Sequence, residues 1–488
     1  MGAAYPRRGV RRGRERARGG YWPPRVTGIL VATAVVSAIA GFLYGYDTGI
    51  ISGALLQIRE EFDVGDGWQQ VIAAGILVGA VIGALVGARL SERFGRKRTI
   101  LVISAVFVIG TLSCSLAPTP LTLALARVLL GSAVGGATQT VPMFVAELSP
   151  PKIRGRLVLA FQVAIGVGIL TATIVGASQL LDWRLMIGLA VLPAALLLVL
   201  MLPAPESPRW LVKVDRTDDA RSNLQRVRGT EDVEAELRSI EEVEEERRQT
   251  SVRGWKGLAL PWVRPALIMG CGMALFTQLS GIEMIVYYSP TILTGVGFEE
   301  SGALFVSVAL AVTYVIMNCV GLAIVDRVGR RRLSLIMTPG AALALAVLGA
   351  LFLTGEVTVG TAPFVVACLI TFMFFTAGGL QVMGWLTGSE IYPLGVRGAG
   401  TSAQAATLWG SNVIITLTLL TMINAIGAGP SMWVYAGFNV IAFFFVLRYF
   451  PEVAGRSLED IETSLREGTF YPGGVPIKSE DEREKVAT

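Results

Sequence analysis

Asp47, Arg127 and Glu283 each stand inside an otherwise apolar run long enough to cross a bilayer. A charge at membrane depth is costly and by default marks a pathway for a solute or a proton. Other chemistry is poorly provided for. The chain has no histidine, so imidazole metal sites and imidazole proton relays are excluded. Cys114, Cys271, Cys319 and Cys368 are scattered singly through apolar runs, the pattern of small buried thiols rather than of a disulfide framework or a metal site. With no nucleophile–base constellation, no metal cluster and no phosphate loop, an enzyme is not expected, and no cofactor is implied.

A second set of charges occurs twice. Glu92-Arg93-Phe94-Gly95-Arg96-Lys97-Arg98 returns as Asp326-Arg327-Val328-Gly329-Arg330-Arg331-Arg332, 234 residues later. Glu147 precedes Arg154-Gly155 by seven residues, and Glu390 precedes Arg397-Gly398 by the same spacing, 243 residues later. Pro205-Glu206 with Arg209 returns as Pro451-Glu452 with Arg456, 246 residues later. Three matches in order and at similar offsets imply duplicated halves, which in transporters rock about a midplane site. Acids and arginines repeated at one membrane face fit a latch that closes there through networked ion pairs; topology alone explains the arginines but not the acids.

The elements that must position these residues are membrane helices. The chain has 488 residues, 53% hydrophobic and only 16% charged, against about a quarter charged in soluble domains. Spans of roughly 20 apolar residues fall near 27–50, 68–90, 99–118, 121–146, 156–179, 184–203, 264–288, 302–325, 333–354, 362–388, 399–426 and 431–450. Asp47 then lies in the outer part of the first span, Arg127 in the fourth and Glu283 in the seventh. Arg89 to Arg98, Lys152 to Arg156 and Arg327 to Arg332 follow the second, fourth and eighth spans, whereas Glu60, Glu61, Asp63, Asp66, Glu299 and Glu300 sit on odd connections. The positive-inside rule puts the even connections and both termini in the cytosol. The eight arginines from Arg7 to Arg25 are read as a cytosolic anchor rather than a nucleic-acid arm. The charged stretch 205–262 reads as short amphipathic helices on the cytosolic face, and the polar tail after Glu462 reads as disordered. Gly75, Gly79, Gly83 and Gly87 form one stripe on the second span, suited to close helix packing. The implied domains are a basic N-terminus (1–25), an N-terminal bundle (26–204), a helical linker (205–262), a C-terminal bundle (263–451) and a tail (452–488).

The motifs SERFGRKR (91–98), PESPRWL (205–211), VDRVGRRR (325–332) and PEVAGRSLEDIE (451–462), with GYDTG (45–49), resemble the sugar porter family of the major facilitator superfamily over about residues 26 to 465. That resemblance implies an all-α membrane protein: twelve transmembrane helices in two pseudo-symmetric six-helix bundles, the major facilitator fold, with a cytosolic helical linker. It also implies a monosaccharide or polyol as solute, a proton as coupling partner, residence in the lipid bilayer of the cytoplasmic membrane, and a monomer as the working unit.

By the same resemblance, Asp47 and Arg127 come close within the first bundle, and an aspartate at this place is similar to the proton-coupled symporters. A static buried ion pair is the alternative. Positions matching the family's sugar contacts are Gln162, Gln278, Trp385, Trp409 and Asn412, while Tyr287 and Tyr288 match a pair of external-gate tyrosines. Tyr44, one helical turn before Asp47, faces the same cavity by spacing. Amides donate and accept at once, and aromatic faces stack on sugar rings. The chain departs from the family at Thr277, Glu283, Tyr314 and Leu408, where polar family residues are replaced, with Asn318 one turn beyond Tyr314. Glu283 admits four roles: accepting from hydroxyls, binding an amino substrate, carrying a second proton, or lying buried and protonated. The competing functions are a facilitative uniporter, a proton-driven exporter of a drug or metabolite, and a transporter-like sensor.

Overall fold

The computed structural model describes residues 27–249, 254–355, 357–393, 395–456 and 458–472. Among them the chain is helical, without strands, and twelve segments are long and apolar enough to cross a membrane. The first half comprises α1 (Gly28–Phe62), α2 (Asp66–Phe94), α3 (Arg96–Ser115), α4 (Pro120–Leu148), α5 (Pro151–Ser178) and a sixth span made of α6 (Trp183–Gly188) and α7 (Val191–Met201). The linker carries α8 (Pro208–Lys213), α9 (Thr217–Arg228), α10 (Glu234–Gln249) and α11 (Gly254–Leu258). The second half comprises α12 (Arg264–Leu279) and α13 (Ile282–Gly295), then α14 (Glu300–Val328) and α15 (Arg330–Leu353). It continues with α16 (Ala362–Gly378) and α17 (Leu380–Glu390), then α18 (Arg397–Ile426) and α19 (Ala428–Tyr449). A last helix, α20 (Leu458–Arg466), follows.

Small residues set the closest packing. The stripe Gly75, Gly79, Gly83 and Gly87 lies against the backbone of α4, where an added Cβ at Gly79 would run into the Val128 carbonyl. A second stripe, Gly41, Gly45, Gly49 and Gly53, escaped the sequence reading; it lies in the same way against Phe161 to Gly176 of α5. Glycines every four residues give one bare helix face, and bare faces let backbones touch. This orients α1. Its glycine face meets α5, so Tyr44 and Asp47 point elsewhere, towards α4 and the second half. The halves meet where α1 packs on α13, α2 on α18 and α5 on α14.

Four features differ from the sequence expectations. Helix α1 does not stop near residue 50 but continues to Phe62, because Glu61 is held by Trp183 Nε1 and Arg184 Nη1, each at 2.6 Å. Asp47 therefore lies near the middle of α1 rather than towards its outer end. The seventh span is broken at Ser280-Gly281, with Gly281 at φ +95°, and Asn439 Nδ2 donates to the freed Ser280 carbonyl at 2.9 Å. The tenth span is broken at Gly379. Such breaks are tolerated where neighbours satisfy the freed backbone. Beyond Glu462 the chain stays ordered to residue 472: α20 buries Ile461 and Leu465, and Phe470 follows them. The arginines between Arg7 and Arg25 and the segment 473–488 lie outside the described residues.

Candidate functional site

Two kinds of site emerge, one at the buried centre and one at the rim beside the linker. At the centre, Arg127 is fully buried on α4 and its Nη1 lies 3.8 Å from Asp47 Oδ1. That separation is too long for a hydrogen bond. The guanidinium is instead anchored through Nε, which donates to the Ile72 carbonyl of α2 at 2.8 Å. Asp47 Oδ2 and both terminal nitrogens of Arg127 lack hydrogen-bond partners. The pair is thus an electrostatic contact between α1 and α4 without the bidentate geometry that makes such pairs rigid.

The second half supplies the rest. Tyr44 of α1 meets Trp409 of α18 edge to face at 5.4 Å between ring centroids, and Trp409 meets Trp385 of α17 at 6.2 Å. Glu283 opens α13 just after the Gly281 break and lies within electrostatic reach of Tyr44, Tyr287 and Tyr314. Tyr287 faces Thr48 of α1 and also senses Asp47 and Arg127, so it stands between the two ionisable groups. Several residues of the spans that meet at the centre carry buried polar atoms without partners: Gln278 Oε1, Glu283 Oε2, Trp409 Nε1, Asn412 Nδ2 and Gln381 Oε1. Orphaned buried polar atoms are rare and ask for an explanation. A ligand carrying several hydroxyls would satisfy them. Gln162 and Trp385 are half-buried; the other central residues expected from the sequence are buried.

Two expected contact residues are otherwise engaged. The Thr277 hydroxyl is shared between the Met273 and Leu380 carbonyls, at 2.8 and 3.0 Å, and so secures the break before α17. Tyr288 donates its hydroxyl to the Thr416 carbonyl at 3.2 Å. Residues the sequence reading passed over are Thr48, Gln381 and Ile72. Gln381, a lone amide inside an apolar run, was the one with a visible signal.

At the rim the duplicated motifs build the same device twice. Arg96 binds Glu147 through two parallel bonds, Nε and Nη2 each at 3.0 Å, and Arg330 binds Glu390 likewise at 3.2 and 2.7 Å. Glu206 accepts from the backbone N–H of Arg96 at 2.9 Å and of Lys97 at 3.1 Å, capping α3, and Glu452 accepts from Arg330 and Arg331 at the same distances, capping α15. A carboxylate at a helix N-terminus satisfies orphan donors and meets the positive end of the dipole. Glu92 adds contacts to Arg96 at 3.6 Å and to Lys213, Asp326 adds one to Arg330 at 2.7 Å, and Ser207 binds Glu147. Arg93 lies over Phe94, and Arg397 Nε donates to the Tyr392 carbonyl at 3.4 Å. Arg209 and Arg327 are exposed, and Arg154 and Arg456 half-buried. Each cluster closes within its own half. Burial, with Arg209 and Arg228 nearby, lowers the Arg154 pKa from its ordinary value. At the opposite end two hydrogen bonds tie the halves together: the Gln70 amide lies 3.0 Å from the Thr421 hydroxyl, and Asn424 donates to Asp66 at 2.8 Å.

The family model for "Sugar (and other) transporter" matches residues 33–465. The chain belongs to the sugar porter family of the major facilitator superfamily. It is a transporter, not an enzyme. A D-xylose transporter of Levilactobacillus brevis is 36% identical over 88% of the chain and 95% of its own length. The human proton myo-inositol cotransporter is 31% identical over 88% of the chain and 81% of its own length. Among solved structures, the xylose transporter XylE from E. coli, partially occluded and inward open, superposes with a TM-score of 0.76 at 24% identity, covering 88% of this chain and all of that one. At that identity the likeness speaks for the fold, and it agrees with the twelve spans and two halves described above.

Proposed function

We propose that this sugar porter carries a monosaccharide or polyol inward together with a proton, by alternating access of its two halves about the central site. The carrying observation is one buried centre that joins a loose Asp47–Arg127 pair to a set of unpartnered amide, indole and carboxyl atoms. Named relatives that move D-xylose, or myo-inositol with a proton, support the same solute class.

The proposed cycle follows from the geometry. With Asp47 ionised, Arg127 balances it and holds α1 electrostatically to α4. A proton arriving on Asp47 removes that tie, while Arg127 stays anchored to Ile72. Tyr44, Gln162, Gln278, Glu283, Tyr287, Trp385, Trp409 and Asn412 form the proposed contact set. Thr277 and Tyr288 serve as helix ties. The rim clusters around Arg96 and Arg330 act as clasps that keep each half rigid while it moves, with Arg93, Arg154, Arg209, Arg327, Arg397 and Arg456 around them. The linker face is assigned to the cytosol with both termini, the membrane to the plasma (cytoplasmic) membrane, and the domains to 1–25, 26–204, 205–262, 263–451 and 452–488. One chain suffices, since both halves of the site belong to it.

The test is uptake into proteoliposomes under an inward proton gradient, with D-xylose and myo-inositol as probes. Accumulation above equilibrium with external alkalinisation is expected, and Asp47→Asn should exchange solute without accumulating it. Full accumulation by Asp47→Asn sinks the proton assignment, and equilibration without accumulation in the wild type makes the protein a uniporter.

A further inference from the structure

We infer that the ligand of the central site bears an ammonium group, as an amino sugar or amino-cyclitol does, and that Glu283 pairs with it. The inference rests on the proposed sugar or polyol reading of the same site. Its starting point is a buried carboxyl with no counterpart. Asp47 and Arg127 balance each other, and Arg127 is further committed to Ile72. Glu283 is only 6% exposed, its Oε2 has no partner, and among the described residues it makes no ion pair. Buried acids are ordinarily paired with a cation or fully hydrogen-bonded.

Burial by itself disfavours the anionic form of this carboxyl until a cation arrives, and its position on the helix works the other way. Glu283 lies in the first turn of α13, where the positive end of the helix dipole stabilises negative charge. The break at Gly281 exposes that helix end to the centre of the protein rather than to solvent. Tyr44, Tyr287 and Tyr314 lie within electrostatic reach of the Glu283 carboxyl, and Tyr44 continues into the Trp409–Trp385 ring chain. Aromatic rings around a carboxylate are the arrangement that recognises an ammonium, through charge pairing on one side and ring quadrupoles on the others. Neutral hydroxyls are served by the unpartnered amides of Gln278, Asn412 and Gln381, so a further carboxyl is surplus for a neutral sugar.

The experiment measures binding to the purified full-length protein of D-glucosamine, N-acetyl-D-glucosamine and D-glucose, with D-xylose and myo-inositol alongside. N-acetylation keeps the nitrogen and removes its charge. D-Glucosamine is expected to bind at least ten-fold tighter than D-glucose and N-acetyl-D-glucosamine. Glu283→Gln should bring the three within about three-fold of one another. A wild type that binds D-glucose as tightly as D-glucosamine overturns the inference and leaves the sugar site standing. If none of the five probes binds, the sugar reading itself fails, and the ammonium goes with it. Two protons carried per D-xylose, falling to one in Glu283→Gln, would show the carboxyl to be a second proton carrier and also overturn the inference.

Discussion

At the scale of single residues, the proposed site keeps buried polar atoms without partners. Trp409 illustrates this. Its ring is held between Tyr44 and Trp385, yet its Nε1 donor is buried without a partner. An unsatisfied buried donor costs about 1–3 kcal/mol. Trp409→Phe keeps one aromatic ring and deletes the donor together with part of the indole, so the relief of the orphan donor is offset by the space left behind. The empty protein should therefore change little in melting temperature, while KM for the transported solute rises roughly three- to ten-fold, the worth of one hydrogen bond. A melting point lowered together with an unchanged KM would assign the indole to packing alone. Asp47, Arg127 and Glu283 were legible in the sequence because a lone charge in an apolar run stands out. The partners Thr48 and Ile72 were not: one is an unremarkable hydroxyl, and the other acts through its backbone.

At the scale of helices, the repeated rim motifs do two separate jobs. Glu147 and Glu390 hold an arginine side chain, whereas Glu206 and Glu452 cap a helix. The glycines within the motifs make the second job possible. Gly95 and Gly329 have φ of +95° and +92°, and a Cβ on either would press into the capping carboxylate. Gly329→Ala combines backbone strain of about 1–3 kcal/mol with that collision. It should lower the melting midpoint in detergent by about 2–4 °C per kcal/mol lost. Gly437→Ala, in open space on α19, is the control and should melt as the wild type does. Equal melting of the two variants would remove the clasps from the architecture. The motifs themselves were readable because charge is rare in this chain. Their closure within each half was not, since a spacing along the chain does not name the partner helix. The breaks at Gly281 and Gly379 were equally hidden: a glycine in an apolar run fits packing as well as interruption, and only the approach of Asn439 and Thr277 decides.

At the scale of the whole molecule, the two halves are alike at the rim and unlike at the centre. The first half holds the ionisable pair, and the second holds most of the orphan polar atoms. In the proposed cycle, the energy released by the proton must therefore cross the interface between halves to reach the solute. One proton falling through 100 mV supplies about 2.3 kcal/mol, enough for roughly fifty-fold accumulation of a neutral solute at about 1.4 kcal/mol per tenfold. That transfer requires the halves to part at the end where Gln70 meets Thr421 and Asp66 meets Asn424. A disulfide placed there, Gln70→Cys with Thr421→Cys in a background lacking the four native cysteines, should stop uptake on oxidation and restore it on reduction. Solute should still bind from the linker face of the oxidised protein, because that tie leaves the other end free. Undiminished uptake by the fully cross-linked protein would mean that the halves do not separate at this end, and the rocking motion would have to be abandoned in favour of a path within one half.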